Sequence, residues 1–121
     1  MPKNIDFEKT KNMPNISHHL LQAIEYSEKE KVEDIVFTSP LLFSDSDLIL
    51  KNCRSLGIGR FFIIEPTGAF SDDICRSIIN AFDYAGCLIE ETNYNIAVYE
   101  DNKKTIAEKK AFVVKIPSTL K

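Results

Sequence analysis

The chain has 121 residues, 44% of them hydrophobic and 27% charged, with a formal net charge of −3. A domain of this size can fold without metals or disulfides. The mixed, mildly acidic charge argues against nucleic acid as a partner, because phosphate binding needs clustered Lys and Arg. No apolar run approaches the ~20 residues of a membrane span, and residues 1–13 carry no hydrophobic signal core, so the expected localisation is cytoplasmic.

Residues 1–14 are polar and contain Pro2 and Pro14, which predicts a tail; residues 15–121 then form a single domain. A first helix starts near Asn15 or Ser17, either of which can cap its open N–H groups. Ile16, Leu20, Leu21, Ala23 and Ile24 give it an apolar face before the charged stretch Glu28–Lys31. Asp34-Ile35-Val36-Phe37-Thr38 favours a strand stopped by Pro40. Ser44 to Asp47 supply caps for a second helix, with Leu48, Ile49, Cys53 and Leu56 on one face and Gly57 as its stop. Arg60 to Glu65 is a continuous apolar run closed by Pro66, the pattern of a strand buried on both faces. Ser71-Asp72-Asp73 opens a third helix carrying Ile74, Ile78, Ile79, Phe82 and Ala85, ended by Gly86. Two further strands, Tyr94–Tyr99 and Lys110–Ile116, are joined across Asp101–Lys104 as a hairpin with a long connection. Strands alternating with helices predict an α/β fold: a three-layer, half-Rossmann sheet, mostly parallel, with a C-terminal antiparallel hairpin.

This order resembles the C-terminal half of a class I S-adenosylmethionine-dependent methyltransferase. The resemblance runs over roughly residues 34 to 116 and is carried by Asp34-Ile35-Val36-Phe37, by Gly57-Ile58-Gly59 through Glu65-Pro66, and by Ala85-Gly86-Cys87. It implies the scaffold without the cofactor chemistry. The family's glycine-rich turn lies before this region, and the 33 residues ahead of Asp34 contain no glycine. Ser39-Pro40-Leu41 lacks the second Pro and the aromatic of the family's amino-methylating motif, so no catalytic role is carried onto it. No cofactor is expected.

The remaining candidates are few. His18 and His19 are adjacent, and on a helix they face different ways, which is wrong for a metal pair. Cys53, Cys75 and Cys87 lack metal-site spacing and read as buried small hydrophobes of a reducing compartment. The two-glycine turn at Gly57 and Gly59 follows a helix, whereas a phosphate cradle must follow a strand and open a helix. Glu65 ends a buried strand at the sheet edge where α/β proteins bind ligands. Topology brings Asp45, Asp47, Asp72 and Asp73 to the same edge, so with Glu65 they form an expected acidic rim that attracts a basic partner. Ile35, Val36 and Phe37 form an apolar strand at an open sheet edge, predicted to be covered by a second chain through strand addition or homodimerisation. The expected function is a non-catalytic protein-interaction domain: an inhibitor, an immunity-type protein or a regulatory subunit. The alternative is a methyltransferase-like fragment that needs another chain to complete its cofactor site.

Overall fold

The structure, a computed structural model, describes residues 7–38, 41–65 and 71–117, without the side chains of residues 7, 9, 71, 72 and 74. In chain order the elements are α1 (Phe7–Lys11), α2 (His18–Glu30), β1 (Val36–Phe37), a 3-10 turn (Phe43–Asp45), α3 (Ser46–Leu56), β2 (Arg60–Ile64), α4 (Ser71–Tyr84), β3 (Leu88–Glu100) and β4 (Lys103–Lys115). Ser17 caps α2, its hydroxyl accepting from the Leu20 N–H. Gly57 ends α3 at φ 73°, where its N–H reaches the Arg54 carbonyl and Ile58 N–H reaches Cys53. The glycine turn is therefore a helix stop.

The sheet corrects the expectation of a mostly parallel arrangement. Its order is β1-β2-β4-β3, and only β1 and β2 run parallel. β4 lies between β2 and β3 and is antiparallel to both. The hairpin joins the parallel pair through its second strand: β4, not β3, lies beside β2. Each strand of the hairpin is 13 residues long, and the connection is only Asp101-Asn102, both at positive φ as a tight hairpin turn demands. The strands reach further back than Tyr94 and Lys110 because Glu90–Asn93 are polar on both faces and Lys103–Glu108, with Ile106 and Ala107 among them, bury no side chain. Burial patterning gives no strand signal there, and cross-strand pairing alone makes them extended.

The three-layer expectation is corrected as well. Register places Ile35, Phe37, Phe61, Ile63 and Val114 on one face of the sheet. These residues share one core cluster with Leu20, Ala23 and Ile24 of α2, Ile49, Leu50 and Cys53 of α3, and Ile78 and Phe82 of α4. The rings of Phe37, Phe61 and Phe82 stack edge to face at 5.1 and 5.2 Å. All three long helices thus pack on the same face. β2 is sealed unequally: Phe61 and Ile63 are buried, while Phe62 and Ile64 on the other face are half-buried.

The hairpin itself covers much of that second face. Only Leu88–Thr92 and Ala111–Lys115 run level with β2. The next eight residues of each strand, about 27 Å of extended chain, form an arm beyond it. This arm crosses from the β3 edge to the β1 edge. The Tyr94 ring lies 4.9 Å from Phe62, and its hydroxyl donates to Asp34, just before β1. Ala97 N–H donates to the Tyr26 hydroxyl of α2 at 3.1 Å. Further out, Glu30 of α2 accepts from the Tyr99 hydroxyl and pairs with Lys104 at 2.6 Å, and Lys29 sits over the Tyr99 ring. Hydrogen bonds from Lys104 and Tyr99 hold the Glu30 carboxyl below its ordinary pKa. The same contact with Glu30 raises the pKa of both Tyr99 and Lys104. All three groups are thereby kept in the ionisation states that bind.

Candidate functional site

The carboxylates expected to share one rim are divided by the structure into three settings. Asp45 is occupied internally: it accepts from Leu42 N–H at 2.7 Å and stands 3.5 Å from His19 Nε2. Its role is to close the 3-10 turn and tie it to α2. Asp47, exposed in the first turn of α3, and Asp73, exposed near the start of α4, each line a surface groove. Asp72 belongs to the first turn of α4, and its side chain lies outside the described residues. Glu65 lies elsewhere, in a cleft of about 290 Å³ with Glu91, Thr92, Asn93 and Lys110, where the hairpin arm parts from the end of β2.

Ile35, Val36 and Phe37 are 2%, 1% and 2% exposed. Helix α2 packs against β1, Ile35 and Phe37 share its core cluster, and Val36 turns to the opposite face, so within one chain these side chains are interior while β1 remains the terminal strand of the sheet. Pro40 and Pro66, the expected strand stops, lie outside the described residues.

Around Asp47 the structure brings together residues that sequence reasoning did not connect. A groove of about 540 Å³ runs between the start of α3 and the end of α4, and Phe43, Asp47, Asn80, Ala81 and Tyr84 are among its lining residues. A second groove of about 470 Å³ continues on the other side of Phe43, along Leu42, Asp73 and Ser77. Leu42, Phe43 and Tyr84 are 58%, 64% and 96% exposed. The 3-10 turn is what projects Phe43, because it follows buried Leu41 and precedes buried Ser46. A signal was present in the sequence: Leu42-Phe43 directly precede a run of Ser and Asp, and Tyr84 falls outside the apolar stripe of α4.

Reactive groups are not assembled among the described residues. Burial pushes the Cys53 thiol up to about 12 and raises Cys87 also, so both stay protonated near neutral pH. None of the three cysteines forms a disulfide, and all are buried. His19 Nδ1 is buried without a hydrogen-bond partner among the described residues. No group of three or more His, Cys, Asp or Glu is placed to hold a metal ion among the described residues, and no helix there is long and apolar enough to cross a membrane. No family model matches the chain, and comparisons with curated proteins and with solved structures find no match.

Proposed function

We propose that the chain is a non-catalytic protein-interaction domain that takes a basic protein partner in the cytoplasm, as an inhibitor, an immunity-type protein or a regulatory subunit does. The observation that supports this reading is the pair of exposed aromatics, Phe43 and Tyr84, flanking a groove with Asp47 on its wall. Aromatic anchors are enriched at the centres of interfaces, where burying one returns roughly 1.5–3 kcal/mol. Carboxylates along the groove steer a cationic partner and disfavour an acidic one. Three buried cysteines without a disulfide fit a reducing compartment.

Selection from a peptide-display library tests the reading. The double variant Phe43→Ser with Tyr84→Ser changes only exposed side chains, so its stability is expected to stay within about 0.5 kcal/mol of wild type. Wild type is expected to enrich Lys- and Arg-rich peptides that carry an apolar anchor, and the double variant to lose at least ten-fold of that recovery. Equal recovery by both proteins, or enrichment of acidic peptides, overturns the proposal.

The second reading is a methyltransferase-like fragment completed by another chain. The parallel pair β1 and β2, joined through a helix and followed by a closing antiparallel hairpin, supports it. On this reading the chain alone gives no saturable heat when titrated with millimolar S-adenosylmethionine; saturable binding would show that no second chain is needed.

A further inference from the structure

The outer edge of β3 is open along Leu88–Asn95, and two features fix which backbone groups face outward. First, β4 bonds to the β2 side through its even-numbered residues: Glu65 N–H donates to the Lys110 carbonyl and Ile116 N–H to that of Gly59. The odd residues of β4 therefore face β3 and engage its even residues. Second, Ala97, an odd residue of β3, points its N–H away from β4 and onto the Tyr26 hydroxyl. By both arguments Ile89, Glu91, Asn93 and Asn95 present their N–H and C=O groups outward. Among the described residues these N–H groups have no partner, and only the Asn93 carbonyl is touched, by the Thr92 hydroxyl at 3.5 Å. An open edge of this length is a template for another strand.

Charge decides what kind of strand fits. β3 carries Glu90, Glu91 and Glu100 and contains no Lys, Arg or Pro. Glu90 is matched by Lys115 at 3.6 Å, whereas Glu91 has no ion pair among the described residues. Glu91 instead lines the cleft it shares with Glu65 and Lys110, where two carboxylates face one ammonium group. A second copy of this chain would bring another Glu91 to the same edge, but a basic strand would bring the missing cation. We propose that the β3 edge accepts an extended, basic segment of a protein partner as an added strand. That segment bonds to the outward groups of Ile89 through Asn95 and places a Lys or Arg beside Glu91, its cross-strand neighbour. Main-chain pairing supplies the affinity, and Glu91 supplies the selectivity. The edge shares no residue with the Phe43–Tyr84 groove, so the two surfaces stand or fall separately.

Amide hydrogen exchange, read residue by residue by NMR, tests this with a decapeptide alternating lysine and valine at millimolar concentration. A decapeptide with glutamate in place of lysine is the control. The lysine peptide is expected to slow exchange at Ile89, Glu91, Asn93 and Asn95 at least fivefold, leave the even-numbered amides of β3 unchanged, and exceed the glutamate peptide throughout. Asn93→Pro removes an outward N–H only, so the β3–β4 ladder persists and the protection disappears. Glu91→Lys, which makes no demand on the backbone, is expected to weaken the lysine peptide at least tenfold and favour the glutamate peptide. The Phe43→Ser, Tyr84→Ser variant is expected to respond as wild type does. Equal protection by the two peptides, protection by neither, or protection that grows with protein concentration in the absence of peptide overturns the proposal.

Discussion

Phe61→Ala is expected to cost about 3–5 kcal/mol of folding stability, the usual range for emptying a packed phenylalanine site. Phe61 is wholly buried, sits between Phe37 and Phe82 in edge-to-face contact with both, and is paired in register with Val114. Removing its ring leaves a cavity at the meeting point of β1, β2, β4 and α4. The lost aromatic contacts add roughly 0.5–1.5 kcal/mol each beyond simple burial. Against a total of about 5–15 kcal/mol for a domain, that is a large share of the stability. Phe62→Ala is the informative comparison. Phe62 is half-buried on the opposite face, against Tyr94 and under Arg60, and its loss is expected to cost roughly 1–2 kcal/mol. Urea unfolding of both variants measures the difference. Equal losses would mean that the arm seals the second face as tightly as the helices seal the first.

Asn52→Ala is expected to cost about 2–3 kcal/mol, although it deletes only a small polar group. Asn52 is 4% exposed on α3, and its side-chain carbonyl accepts from Ser17 N–H at 2.8 Å. Its amide donates to the Asn15 carbonyl at 3.3 Å, and Asn15 is held at φ 60°, in the left-handed region. One side chain thus satisfies the backbone at the start of α2 and ties that helix to α3. Alanine would strand a buried N–H, since Ser17 is itself only 4% exposed. Ser17→Ala is the control: it removes the hydroxyl cap but leaves the Asn52 bond, and a loss near 1 kcal/mol is expected. Thermal or urea unfolding that placed Asn52→Ala at or below the Ser17→Ala loss would show that the α2–α3 tie contributes little.

The sequence by itself determined the local elements. Ser17 as a cap, Gly57 as a stop, the spacing of Leu20, Ala23 and Ile24, and the β-branched and aromatic run Arg60–Ile64 each specify an element through interactions within a few residues, and those elements formed where expected. The apolar stripe of α4 through Ile78 and Phe82 and the burial of the three cysteines were legible for the same reason. Only the tertiary structure decided where the hairpin goes. Whether β3 or β4 lies beside β2 depends on pairing between residues some fifty positions apart, to which local propensity is indifferent. That single choice made the sheet mostly antiparallel and left β3 as the open edge. Burial of Ile35 and Phe37 followed from the packing of α2 against β1. The acidic residues show the same division. Their places at helix starts and a strand end could be read from the chain, but which of them meet depends on how helices pack. Asp45 was drawn to His19, Asp47 to the Phe43–Tyr84 groove and Glu65 to the arm, because side-chain neighbours are set by element positions in space rather than by the order of elements along the chain.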